Sequence, residues 1–187
     1  MTPNPTVRTA ECTLSATASF VADILHLRYE LTNGTDRPLY VFNKLGRMGS
    51  TSVFDTAPNT VNIVRGANRV TVGKALVPVP EDTEVERLYV PCLSRIEPGQ
   101  ALAETLALPH PLVPFTWYKS RPLAKSPLSV PLFFELGYVL ATEQVEQLIQ
   151  RLQTPYGEVY QATWFPLELQ EKIHTGPLLD VQVFSAR

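Results

Sequence analysis

The sequence predicts a mainly β protein, an antiparallel sandwich with one short helix near its C-terminal end. Three observations lead there. Leu25, Leu27, Tyr29 and Leu31 alternate with His26, Arg28, Glu30 and Thr32, the pattern of a strand with one dry and one wet face. Val61–Val64 and Arg69–Val72 are β-branched runs around Arg65-Gly66-Ala67-Asn68, a hairpin pattern. Seventeen prolines in 187 residues are dispersed at strand-sized intervals. Proline is poorly tolerated inside helices and central strands, so this spacing suits many short strands joined by bends.

Taken in order, residues 1–6 read as a tail and Val7–Phe20, rich in Thr and small residues, as a first strand, at an edge. The alternating strand follows. Asn33-Gly34-Thr35-Asp36-Arg37-Pro38 is a dense run of turn residues, and Leu39–Phe42 is the next strand. Asn33-Gly34-Thr35 also matches a glycosylation triplet but reads as a turn. Residues 44–59 are mostly loop with a short strand at Thr51–Phe54. Val77-Pro78-Val79-Pro80 breaks the chain after the hairpin, and Val85–Leu93 resumes a strand with Leu88, Val90 and Cys92 on one face. Pro98-Gly99 suits the centre of a tight turn. Leu102, Leu106 and Leu108 then share a parity that Glu104 interrupts.

Pro109–Pro131 reads as a long irregular connection held by its aromatics, and Leu132–Leu140, apolar on both faces, as a central strand. Thr142 caps a helix over 143–153, where Val145, Leu148, Ile149 and Leu152 form one stripe. A helical turn is expected within Pro166–Ile173 and a last strand at Leu178–Phe184. The expected core is Leu25, Leu27, Tyr29, Leu31, Val41, Leu88, Val90, Leu136, Val181 and Val183. One domain over 1–187 is expected. If the chain divides, the division falls in 109–131.

Composition excludes several classes. At 44% hydrophobic residues a real core is affordable, and a net charge of −2 without a basic block argues against nucleic acid. No apolar run approaches membrane-span length, and Met1–Arg8 lacks the pattern of a secretory signal, so a cytoplasmic protein without membrane contact is expected. Cys12 and Cys92 are expected as buried or half-buried thiols rather than a bridge.

The chain lacks Gly-x-Ser-x-Gly, Gly-x-Gly-x-x-Gly, Walker A and His-Glu-x-x-His patterns. His26, His110 and His174 have no partner at metal-ligand spacing, and His26 falls on a wet strand face. Glu81, Asp82, Glu84 and Glu86 read as a solvated loop without the spacing of a calcium site. No metal or cofactor is expected.

Two aromatic clusters remain. Phe115, Trp117 and Tyr118, beside Lys119, Arg121 and Lys125, combine residue types that anchor interfaces on a proline-stiffened segment. The competing view makes them a strap over the core. Tyr156, Tyr160, Trp164 and Phe165 read chiefly as packing behind the helix. The favoured function is a non-enzymatic binding or adaptor module that engages another protein through loops or a sheet edge. Its site residues would be Phe115, Trp117, Tyr118, Lys119 and Arg121. The alternative is an enzyme assembled from distant residues, for which Cys92 and His110 are the candidates.

Leu27–Val41, an alternating strand running into Thr32-Asn33-Gly34-Thr35, resembles the second and third strands of immunoglobulin-like sandwiches. Ile96-Glu97-Pro98-Gly99-Gln100 resembles the turn before a late strand in such domains. Both pieces are also similar to bacterial intracellular proteinase inhibitors of the BsuPI kind. The resemblance implies an immunoglobulin-like sandwich and, as an alternative function, proteinase inhibition. The Pro-rich segment and the strand–helix–strand region depart from the inhibitor pattern, and no inhibitory residue carries over.

Overall fold

A computed structural model of the chain describes residues 5–47, 49–85, 88–118 and 126–184. The described residues form two β-sheets packed face to face. The smaller sheet holds β1 (Thr6–Arg8), β2 (Cys12–Val21), β3 (Ile24–Asn33) and β8 (Ala101–Pro109), in the order β1-β2-β3-β8 and antiparallel throughout. The larger sheet is built from β4 (Leu39–Lys44), β5 (Asn62–Arg65), β6 (Val70–Lys74), β7 (Cys92–Ile96), β9 (Leu128–Leu140), β10 (Gln150–Thr154) and β11 (Gly157–Gln161). Its order is β10-β11-β7-β4-β9-β6-β5, and β12 (Glu171–Thr175) and β13 (Asp180–Val183) also pair with β9.

The predicted alternation holds where it is strongest. Leu25, Leu27, Tyr29 and Leu31 all face the core, and cross-strand partners Leu14 and Leu106 join them there. The main core lies between the sheets. A second one lies on the outer face of the larger sheet, where Tyr40, Phe42, Leu93 and Val139 meet Val145, Ile149 and Phe165. This explains why β4 and the end of β9 are apolar on both faces.

The Asn33 turn carries the chain from one sheet to the other. Asn33 is buried; its Nδ2 donates to the carbonyls of Arg37 (2.7 Å) and Ile96 (3.0 Å), and its Oδ1 accepts from the backbone N–H of Thr35. The Pro98-Gly99 turn docks on it, with Gly99 at φ +72 and its N–H donating to the Asn33 carbonyl.

The sandwich is predominantly antiparallel as expected, with one parallel pair, β6 beside β9, because the chain makes a long excursion through β7 and β8 before returning. Several other expectations are corrected. The helix, α1 (Glu143–Leu148), is shorter than 143–153. Thr142 caps it as expected, its Oγ1 accepting from the N–H of Val145, but Ile149 is already extended and 150–154 pair with 157–161. There the stripe residue Leu152 serves a hairpin, turned at Gly157 with φ +103.

Thr51–Phe54 is a turn, since the hydroxyls of Ser50 and Ser52 capture the N–H groups of Ser52 and Phe54. The strand expected from Val85 begins only at Cys92, and Leu88 faces solvent at 39% exposure instead of joining the core. A 3-10 turn at Leu167–Leu169 is the helical piece after Pro166, and the chain then turns to strand. No helix among the described residues is long and apolar enough to cross a membrane.

Candidate functional site

The segments flanking β7 build the most distinctive surface. After β6, the Val77–Pro80 prolines take the chain off the sheet, and residues 75–85 and 88–91 lie outside its strands. On the far side, Phe165 inserts into the outer core against Phe42, ring centroids 5.3 Å apart. Its neighbour Trp164 is thereby turned outward, at 53% exposure.

Trp117 stacks on Tyr89 at 3.7 Å with ring planes 12° apart, and the Tyr118 hydroxyl accepts from the Tyr89 N–H at 2.8 Å. The Tyr89 hydroxyl in turn accepts from the Gly46 N–H at 2.6 Å. Trp117 and Tyr118 are thus latched to residues 88–91 through one buried tyrosine, whose own hydroxyl is pushed up to about 12 by burial.

Between these segments runs an apolar groove of two lobes that share Leu88 and Val90. The larger, about 330 Å³, is lined by Leu76, Pro78, Tyr118, Trp164 and Leu167. The smaller, about 190 Å³, is lined by Val53, Trp117 and Ala162. Leu88, Trp117, Trp164 and Leu167 are each more than a third exposed along it. Glu168 is the carboxylate among its described lining residues, so the groove is close to neutral.

Of the sequence-predicted site residues, Trp117 and Tyr118 lie in this groove. Phe115 is half-buried elsewhere, its backbone N–H and carbonyl both bonded to Ile63. Lys119, Arg121 and Lys125 fall outside the described residues. The second aromatic cluster divides: Trp164 lines the groove, Phe165 is core, Tyr160 packs on Tyr40, and Tyr156 is exposed on the β10–β11 turn. Expecting that cluster mainly behind the helix therefore holds for Phe165 and Tyr160 but not for Trp164. Leu88 and Leu167 carried no sequence signal for a surface role, since apolar residues read as core by default.

Cys92 and His110 are held by different neighbours. Cys92 is buried in β7 with its thiol toward the Val53 carbonyl, and burial pushes it up to about 11, unlike an activated nucleophile. The His110 Nε2 accepts from the Gln182 N–H at 2.9 Å and its ring meets Phe20 edge-on. Both cysteines are free and buried. His26 is half-buried on the outer face of β3, and His174 is exposed. Glu81, Asp82 and Glu84 are exposed, and Glu86 lies outside the described residues. Among the described residues, no group of three or more His, Cys, Asp or Glu is placed to hold a metal.

A second constellation sits inside the sandwich. Lys74 is fully buried and its Nζ donates to Glu104 Oε2 at 2.7 Å. Asn43, also buried, donates from Nδ2 to Glu104 Oε1 at 2.7 Å, and the Tyr29 hydroxyl donates to Oε2. Lys74 and Asn43 come from the larger sheet, Glu104 and Tyr29 from the smaller. Burial lowers the Lys74 ammonium from its ordinary value. Burial opposes the Glu104 charge too, but the Lys74 charge and the hydrogen bonds from Lys74, Tyr29 and Asn43 outweigh it and hold the carboxyl below its usual range. Asn43 Oδ1 has no hydrogen-bond partner among the described residues. The sequence signal was present: Glu104 shares the inward parity of Leu102 and Leu106.

No protein-family model, curated protein or solved structure matches this chain.

Proposed function

We propose that the protein is a non-enzymatic binding module whose groove takes an extended apolar segment of another protein. The observation that supports this is the row of large side chains, Leu88, Trp117, Trp164 and Leu167, exposed along one continuous groove. Keeping such groups in water costs burial free energy of roughly 25 cal/mol per Å² that a partner recovers. Two lobes meeting at Leu88 suit a chain lying lengthwise, with one side chain in each lobe. The rim is held by prolines and by the Tyr89 latch, so little conformational entropy is lost on docking. On the same reading the chain is one domain, its sandwich is immunoglobulin-like, and it works in the cytoplasm. The main core, which draws on residues from Cys12 to Val183, supports the first point.

The test is photo-crosslinking in the native host from a reactive amino acid placed at position 164. The expected result is an adduct with another protein that Leu88→Asp abolishes while the melting temperature stays unchanged. Leu88 is exposed, so that substitution should alter stability by no more than about 0.5 kcal/mol. An adduct indifferent to Leu88→Asp, an adduct with a second copy of this chain alone, or no adduct at all refutes the reading.

A further inference from the structure

The buried cluster of Lys74, Asn43 and Glu104 is more than an ion pair in its arrangement. A lysine amine, a primary carboxamide and a carboxyl group meet between the sheets, each on a different strand, with Lys74 and Asn43 buried and the Glu104 side chain 22% exposed. Lys74 and Asn43 donate to the two oxygens of the same carboxylate, both at 2.7 Å. Their strands converge on one stretch of β9: Lys74 pairs with Leu136, and Val41, two residues before Asn43, pairs with Tyr138. Beside them Tyr29 stacks on Phe134 at 4.6 Å, walling the cluster with aromatic carbon. The Asn43 Oδ1 is buried with no donor among the described residues.

We propose that Lys74 and Asn43 condense into an intramolecular isopeptide bond, with Glu104 as the proton shuttle. The steps balance without any co-reactant. Lys74 passes a proton along its hydrogen bond to Glu104, leaving a neutral amine and a neutral carboxylic acid. The Nζ lone pair attacks Asn43 Cγ, and the new C–N bond forms as the Cγ–O π pair moves onto Oδ1. A second Nζ proton is relayed through Glu104 to Nδ2. The Cγ–Nδ2 bond then breaks and the carbonyl re-forms. Ammonia departs, taking the remaining proton from Glu104 as ammonium and leaving the carboxylate. The product is a secondary amide joining β6 to β4, and the net change is the loss of one ammonia from the chain.

The environment supplies what the reaction needs. Burial disfavours the ammonium form that makes lysine unreactive in water. The fold holds amine and amide on one carboxylate, each 2.7 Å from it, replacing a bimolecular encounter. Burial of Asn43 disfavours the competing hydrolysis of its amide. The carboxyl contacts both nitrogens, so one group can take a proton from the first and deliver it to the second.

Intact-mass spectrometry of the folded, full-length protein tests this directly. The expected mass is that of the sequence less one ammonia, and proteolysis should yield one branched peptide joining the Lys74 and Asn43 fragments. Deamidation is distinguished because it replaces ammonia with water. Asn43→Ala and Glu104→Gln should each restore the full sequence mass, the latter with Lys74 and Asn43 still in place. If either variant fails to fold, the wild-type mass and branched peptide still decide the matter. A wild-type chain at full sequence mass without the branched peptide overturns the proposal. A Glu104→Gln protein that links as completely as wild type overturns the role assigned to Glu104.

Discussion

Asn33 holds the crossing between the sheets, and replacing it gives a test whose size follows from its contacts. In Asn33→Ala the Ile96 carbonyl loses its donor in a buried setting, which costs about 1–3 kcal/mol. The bonds to the Arg37 carbonyl and from Thr35 lie nearer solvent, where water replaces part of what is lost. Together they add about 1 kcal/mol. The expected loss is therefore about 2–4 kcal/mol, or a fall in melting temperature of roughly 5–15 °C for a chain of this length. Urea unfolding followed by far-UV circular dichroism measures it. Asn33→Asp sharpens the test, because it keeps the acceptor for Thr35 but turns an oxygen toward two carbonyls. The folded state then resists ionisation, so the new carboxyl's folded pKa lies above the ordinary value of about 3.9. Its deficit relative to wild type is full above that folded pKa and fades as pH falls toward about 3.9, where both states are protonated. A loss below about 0.5 kcal/mol for Asn33→Ala, or a pH-independent deficit for Asn33→Asp, would show that Asn33 does not pin the crossing.

Two further outcomes follow from burial. Leu27→Ala should cost about 2–5 kcal/mol in the same assay, because Leu27 is fully buried between Ala18 and Leu106; a loss under about 0.5 kcal/mol would mean the strand faces the other way. Cys92, held at about 11 by burial, should alkylate with iodoacetamide at pH 8 roughly a hundredfold more slowly in the native protein than in urea. Matching native and unfolded rates would contradict the buried thiol.

The sequence was most legible where local pattern and tertiary environment agree. The alternation at 25–31 works because β3 has a core on one side and water on the other. The 61–72 hairpin and the Asn33 turn declare themselves through β-branched runs and turn chemistry. Reading fails where the surroundings decide. Leu152 completes a helical stripe, yet 150–154 find a partner strand at 157–161, and that ladder wins over a third helical turn. Leu88 has the parity of Val90 and Cys92, but its segment never joins the sheet, so parity there has no meaning. The groove was half legible. Prolines and aromatics singled out Trp117 and Tyr118, but their meeting with Leu88 and Trp164 depends on contacts between segments far apart in the chain, which no local spacing encodes.

Glu104 shows how a failed pattern can be informative. It interrupts the apolar parity of β8 at a position that points into the sandwich. Asn43 does the same in β4, after Leu39 and Val41, and Lys74 in β6, after Val70 and Val72. Each alone would bury a polar or charged group at a cost of several kcal/mol, and apolar residues at all three positions would commonly give an equal or more stable core. Three independent lapses would scatter over the core. Instead Lys74 and Asn43 converge on the Glu104 carboxylate, while the Asn43 amide oxygen has no donor among the described residues. Stability alone does not account for that set. Chemistry among the three groups does, since a lysine, an amide and a shared carboxyl are what a condensation needs. Rules broken together at one point in space mark a site more reliably than any one of them broken alone.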